Sequence, residues 1–291
     1  MTVSVLVPSS LVREAEDKRE ATRKIGYVAR AATIFRVDRL TVYSDPDGER
    51  KYGDGFVETV LRYAATPPYL RKEVWGTRDE LEFAGVLPAL RVATRTGSGS
   101  EGSGSLRQGI VTEVGADGRV WVNCGLQHPI SLPIPDGMDP TEGERVSVRV
   151  SSREPVRAKL TDEPTPGYAV DAADLDTALA RDDAGLTIAT SRYGEPLTMS
   201  ALADIAATVR TVEDGVTDTT GKDWGLTVAF GAPERGLPEI LGISPETVRE
   251  ADSTETGGFD RWLNTVPNQG SEVVQTEEAL LATLAALNLM E

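Results

Sequence analysis

Three short stretches in the last third of the chain have the make-up of ligand-gripping turns: TSRYGEP (190–196), FGAPERG (230–236) and NTVPNQG (264–270). Each follows an apolar run that reads as a strand, and together they are rich in Gly, Pro, Asn, Ser and Thr. None contains a Cys, His or Lys that could serve as nucleophile or metal ligand. What such turns offer is main chain: N–H and C=O groups held at fixed positions by proline and brought close to a ligand by glycine. That equipment suits recognition of a neutral or weakly charged ligand better than covalent chemistry by the protein itself. A plain strand–turn–helix is the alternative for any one of them. Three in one half of the chain point to a shared site.

The usual phosphate cradles are absent. No GxGxxG opens a helix, and no GKS or GKT follows FGAPERG. The single histidine, His128, lies beside Pro129 and reads as structural, as does the single cysteine, Cys124. No cluster of His, Cys or carboxylate has metal-ligand spacing, so no metal is expected.

Those turns need a rigid frame, and the chain of 291 residues is long enough for about two domains. Its start, MTVSVLVPSS, lacks the basic residues and long apolar core of a secretory signal. No apolar run is long enough to span a membrane. A cytoplasmic protein with no membrane partner is the simple reading. The net charge is −16, and 24 of the 30 basic residues are arginine. An acidic, lysine-poor surface suits a high-salt cytoplasm of the kind halophilic archaea maintain. The charge is uneven: residues 162–291 hold 7 basic and 24 acidic side chains, residues 1–161 hold 23 and 22. A polyanion would therefore bind the first half, where Arg23 and Lys24 stand on a predicted helix. A solvated basic helix face is the plainer alternative.

Composition divides the chain. TGSGSEGSGS (96–105) reads as a flexible linker, and LTDEPTPGY (160–168) as a second, softer boundary. Between them, RQGIVTEV, RVWVNCG, HPISLPI, ERVSVRVSS and PVRAKLT read as five short strands, with a hairpin turn at Ala116-Asp117-Gly118. Such a run predicts a small OB-like barrel over 106–160. In it Arg107 and Trp121 could meet nucleic acid, although a lone aromatic in a strand is more often packing. The flanking regions alternate strand and helix, which predicts a mostly parallel sheet with helices on both faces, shared by 1–95 and 167–291. In such a sheet, loops at the carboxyl ends of the strands hold ligands, and the three turns fall there.

Four stretches carry a family resemblance: VPSSL at the start, KIGYVARAATIFRVDRLTVY (24–43), PPYLRKEVW with LEFAGVLPALR (67–91), and VPNQGSEVVQTEEALLATLAALN (266–288). In these the chain resembles the SPOUT superfamily of RNA methyltransferases, and more narrowly its archaeal and eukaryotic subfamily with an OB-like insertion. The resemblance implies a trefoil-knotted α/β fold, S-adenosyl-L-methionine as methyl donor, a homodimer, and RNA, in that subfamily ribosomal RNA, as substrate. It implies base methylation at uridine N3. By it, Val266, Pro267, Asn268, Gln269 and Gly270 line the donor pocket with Val274 and Thr276 behind. Phe230, Gly231, Ala232 and Gly236 form a second wall, and Thr190 with Ser191 a third. Arg30 matches an arginine thought to assist the nucleophile in ribose-methylating relatives, and Arg36 is a neighbouring catalytic candidate. A guanidinium stays protonated, so electrostatic positioning suits Arg30 better than a base role, and binding RNA phosphate is its alternative.

The chain departs from that pattern in places. Gln275 stands where arginine belongs, the Gly/Ser linker replaces histidines, and Arg107-Gln108-Gly109 replaces Arg-Glu-Gly. A binding protein that keeps the donor fold without turnover is the alternative these leave open. A small-molecule enzyme of the doubly wound class is a third reading, weakened by the missing phosphate loop.

Overall fold

Uninterrupted apolar runs such as VSVLV and GLTVA cannot expose one face to water, so they become strands covered on both sides. The computed structural model describes residues 2–48, 51–92, 105–213, 225–249 and 257–288. The linker expected at 96–105 lies outside them save for Ser105. The described chain divides into two compact units. The first comprises Met1–Ala65, Asp79–Leu90 and Tyr168–Glu291, the second Thr66–Arg78 and Arg91–Gly167.

In order, the elements are β1 (Thr2–Pro8), α1 (Lys18–Ile34), β2 (Arg39–Tyr43), α2 (Phe56–Ala65), α3 (Arg71–Trp75), β3 (Ser105–Val114), β4 (Arg119–Asn123), β5 (Ile130–Pro133), β6 (Arg145–Arg153), β7 (Val156–Thr161), β8 (Ala169–Ala172), α4 (Leu175–Leu179), β9 (Leu186–Pro196), α5 (Met199–Glu213), β10 (Gly225–Ala229), α6 (Leu237–Leu241), α7 (Pro245–Arg249), β11 (Arg261–Asn264) and α8 (Thr276–Leu287).

The first unit holds a six-stranded sheet in the order β11-β9-β10-β1-β2-β8, with every pairing parallel. One face carries Leu6, Tyr43, Ala189, Ala229 and Trp262, packed with residues of α4, α6 and α7. Strand alternation turns Val5, Val7, Ile188, Val228 and Leu263 to the other side, where they are equally buried. Helix α1 packs against both α2 and α8. Its start is fixed by Asp17, whose carboxylate accepts from the Glu20 N–H.

Two features escape a periodicity reading. The four-residue edge strand β8 (AVDA) is too short to show a pattern. Strand β9 is longer than its apolar core: its register against β11 jumps from Ala189–Trp262 to Glu195–Leu263. Residues 190–194 therefore bow out of the ladder, and that bow is the TSRYG turn. Gly194 makes the return possible, since a Cβ there would sit 2.7 Å from the Trp262 carbonyl carbon.

The second unit is a five-stranded antiparallel sheet, β5-β4-β3-β6-β7, curled around Val111, Val120, Val122, Cys124, Val146, Val148 and Leu160. The segment 66–78 belongs with it: the Tyr69 hydroxyl donates to the Gln108 carbonyl at 2.8 Å and Asn123 Nδ2 to Glu73 at 2.8 Å. His128 is exposed in the turn before β5 rather than in a strand.

Candidate functional site

The loops that leave β9, β10 and β11 at their carboxyl ends enclose a cavity of about 410 Å³ in the first unit. That volume suits a small-molecule ligand. Of the residues expected there, Thr190, Ser191, Phe230, Gly231, Ala232, Gly236, Val266, Gln269, Val274 and Thr276 all line it. Pro267, Asn268 and Gly270 do not; they are exposed at the tip of their turn.

Hydroxyl groups fix the main chain of the walls. Thr190 Oγ1 donates to the Ala229 carbonyl at 2.9 Å, Tyr43 OH to the Phe230 carbonyl at 2.6 Å, and Thr276 Oγ1 to the Gly231 carbonyl at 2.8 Å. Three consecutive carbonyls are thus held by residues from β9, β2 and α8. Burial, with Asp45 nearby, drives the Tyr43 phenol well above its ordinary pKa, so it stays a donor. On the third wall, Asn264 Nδ2 donates to the Arg192 carbonyl and Asn264 Oδ1 accepts the Val266 N–H, each at 3.1 Å. The Asn of NTVPNQG thereby ties the third turn to the first.

The FGAPERG turn is clamped from beneath. The Asp45 side chain is fully buried. It accepts from Ser10 Oγ at 2.6 Å and from Arg235 Nε at 3.1 Å, while Arg235 NH1 reaches Glu239 at 2.8 Å. The Asp45 carboxylate raises the Arg235 pKa further. Ala232 and Arg235 exchange both main-chain hydrogen bonds across the turn. Between clamp and cavity sits Glu234 at φ +59°, a left-handed conformation uncommon for a residue with a side chain. Such backbone persists only where the surroundings over-determine it. At 231 glycine is obligatory, because a Cβ would fall against the Gly236 carbonyl carbon at 2.7 Å and the Leu237 nitrogen closer still.

The charged side chains around the cavity are Glu234, Glu239 and Glu272 against the single Arg192. Glu239 is paired with Arg235, which leaves Glu234 and Glu272 against Arg192, so the rim is net acidic and favours a ligand that carries positive charge. Asp45, Tyr43 and Arg235 gave no local signal in the sequence. The clamp joins positions far apart in the chain.

The other expected residues fall elsewhere. Arg30 does not line the cavity; its NH1 donates to the carbonyls of Leu90 at 2.5 Å and Ala89 at 3.3 Å. Arg36, the neighbouring catalytic candidate, does not line the cavity of its own chain. It forms the left-handed turn (φ +53°) that ends α1 and leads into β2. It therefore stands at the amino-terminal rim of the parallel sheet, a strand length of roughly 15 Å from the carboxyl rim. Lys24 is 12% exposed and bound to Glu14 at 2.6 Å and to Gln275 Oε1 at 3.1 Å, whereas Arg23 is half-exposed beside Glu20. Gln275 thus serves the α1–α8 contact and does not line the cavity, so this departure leaves the cavity walls untouched. In the second unit Arg107 caps the carbonyls of Cys124 and Gly125, and the Trp121 ring lies over Gly115. Burial raises the Cys124 thiol pKa, which makes it inert.

A parallel α/β sheet with a main-chain-walled cavity at its carboxyl rim is the frame of a small-molecule-dependent enzyme. The chain belongs to an RNA methyltransferase family: the family model described as "Putative RNA methyltransferase" matches residues 2–287. An uncharacterised protein of Haloarcula marismortui is 70% identical over 292 residues, covering 100% of both chains. The 28S rRNA (uridine-N(3))-methyltransferase of Mus musculus is 28% identical over 319 residues, covering 98% of this chain and 76% of its own. The Homo sapiens counterpart is 28% identical over 319 residues, covering 98% and 77%. The acidic, arginine-rich composition accords with the halophilic archaeal source of the Haloarcula relative. Among the described residues, no helix is long and apolar enough to cross a membrane, and no group of three or more His, Cys, Asp or Glu could hold a metal ion.

Proposed function

We propose that this RNA methyltransferase transfers a methyl group from S-adenosyl-L-methionine to N3 of a uridine in ribosomal RNA. The observation that carries the donor assignment is the run of three wall carbonyls, at Ala229, Phe230 and Gly231, each fixed by a hydroxyl from another element. Groups fixed before binding cost little order on binding. The acidic rim suits the donor's cationic end. Thr190, Ser191, Phe230, Gly231, Ala232, Gly236, Val266, Gln269, Val274 and Thr276 would hold it.

Bound there, S-adenosyl-L-methionine supplies an electrophilic methyl group. The protein's task is alignment, together with an acceptor for the uridine N3 proton. Glu234 and Glu272 would supply carboxylates at the rim for that proton, Glu239 being paired with Arg235. Arg30 fits a positioning role through the 89–90 backbone better than contact with the reacting atoms. The target base follows from the rodent and human relatives named for uridine N3 of 28S rRNA.

Two finer readings accompany this one. A knotted C-terminus is supported by the path of the chain: β11 is an edge strand, yet α8 packs against α1 and Thr276 returns to Gly231. A homodimer is supported by exposed Tyr27 and Ile34 on one face of α1 and Leu281 on the adjoining α8. The five-stranded sheet order and curl of the second unit are compatible with an OB-like barrel.

The test is nucleoside mass spectrometry of ribosomal RNA from cells that lack the gene. Loss of 3-methyluridine, restored by the wild-type gene and not by Gly231→Val, is the expected result. An unchanged level of 3-methyluridine would refute the substrate.

A further inference from the structure

In a chain with 46 acidic and 30 basic residues, one concave surface carries the opposite sign. A groove of about 560 Å³ crosses β4, β5, β6 and β7 of the second unit. Its walls include Arg119, Arg149, Arg157 and Lys159, and no Asp or Glu. The β6–β7 register sets Arg149 directly opposite Lys159. Arg157, two residues before Lys159, shares its side of β7. Like charges facing each other across an antiparallel pair oppose pairing.

Part of that cost is offset inside the unit. Arg149 Nε donates to Glu163 at 3.0 Å, and the guanidinium holds the Glu163 carboxyl below its usual pKa. Arg119 is spread over Ser131, with Nε on Oγ at 2.8 Å and NH2 on the carbonyl at 2.9 Å. The head groups of Arg157 and Lys159 make no hydrogen bond or ion pair among the described residues. Both are exposed. Val156, 48% exposed, lines the same groove from the opposite side of β7, and Ile130 lines it from β5.

Two exposed cations two residues apart on one strand, with the nearby Glu163 hydrogen-bonded to Arg149 and in Coulombic reach of Lys159, and with apolar side chains in the same groove, fit a polyanion that also has a flat apolar component. We propose that this groove binds single-stranded RNA, with Arg157 and Lys159 on phosphates and Val156 and Ile130 against a sugar or base. The assignment rests on the RNA reading of the family. A strand with unstacked bases uses both the charge and the apolar wall; a duplex offers chiefly phosphates and ribose hydroxyls.

The experiment is fluorescence anisotropy with the full chain and a labelled single-stranded oligouridylate across a series of KCl concentrations. Arg157→Ala with Lys159→Ala should weaken binding at least tenfold at the lowest salt. It should also flatten the log–log salt slope by about 1.4, at about 0.7 per lost phosphate contact. The exposed pair Arg19→Ala with Lys72→Ala removes the same charge from elsewhere and should change affinity less than twofold. S-adenosylhomocysteine affinity reports on folding, and single Lys159→Gln serves should the double variant lose it. Wild-type affinity and slope in the groove variant would overturn the groove while leaving the RNA reading intact. A wild-type chain that binds S-adenosylhomocysteine but no RNA would overturn both. An equal loss on duplex RNA of the same length would overturn the single-strand assignment.

Discussion

The cavity of the parallel sheet and the groove of the antiparallel sheet are two hollows with opposite chemistry. The first is walled by main chain, fixed by hydroxyls and rimmed by three glutamates against one arginine. The second is walled by side chains, with four cations and no carboxylate. A parallel sheet gathers loop backbone at its carboxyl rim because every strand ends there. An antiparallel sheet has no such rim, and its usable surface is the outward side-chain row of each strand. One hollow therefore selects by fixed hydrogen-bonding geometry, which salt scarcely affects, and the other by charge, which salt screens.

The largest expected effect separates glycines within the first hollow. Gly231→Val should lower S-adenosylhomocysteine affinity more than a hundredfold by calorimetry, since its Cβ meets main chain at the other end of its own turn, at Gly236 and Leu237. Gly270→Val should leave affinity within twofold, because a Cβ there meets nothing within 4 Å. Equal losses in both variants would mean that the turn after β11 is gripped along its whole length.

A smaller effect tests the clamp. Asp45→Ala leaves Arg235 without its buried partner and should cost about 3 kcal/mol of stability. It should also weaken donor binding about tenfold while leaving oligouridylate affinity unchanged. Loss of both affinities to the same degree would erase the distinction between the hollows.

The smallest effect concerns the frame. Arg39 holds Asp183 through two hydrogen bonds of 3.0 and 2.7 Å, and the guanidinium lowers the Asp183 pKa. A carboxyl whose pKa falls on folding stabilises above its unfolded value and loses that contribution as pH drops through the folded one. Asp183→Asn should therefore cost about 1 kcal/mol at neutral pH, given partial exposure. In chemical denaturation the gap between variant and wild type should begin to narrow below pH about 3.9 and close only once the pH has fallen through the lowered folded value. A gap that persists there would assign the loss to packing.

The cavity walls were legible in sequence because their signal is local. Gly231, Ala232 and Pro233 follow an apolar run, and Asn264 with Val266 and Gln269 stands before a helix with glutamates in its first turn. The clamp was illegible for the opposite reason: Asp45 and Arg235 are brought together only by the sheet order. Gly270 stands at the exposed tip of its turn, since glycine in a turn can serve the freedom of the chain as well as contact with a ligand. Arg36 lies away from the cavity because proximity in sequence to Arg30 says nothing about which rim a residue reaches. The groove had a readable sign in the alternation of VRAKLT, with Arg157 and Lys159 out and Leu160 in. It took the register to show that Arg149 faces Lys159.

A second hollow of about 460 Å³, lined by Ser9, Tyr43, Gly53, Gly55 and Asp174 among others, also belongs to the first unit. A crystal structure of the chain with S-adenosylhomocysteine decides between the two. The ligand should lie between the Phe230–Gly236 turn and the Val266–Thr276 segment. Density beside Gly53 and Gly55, with the first cavity empty, would contradict the account.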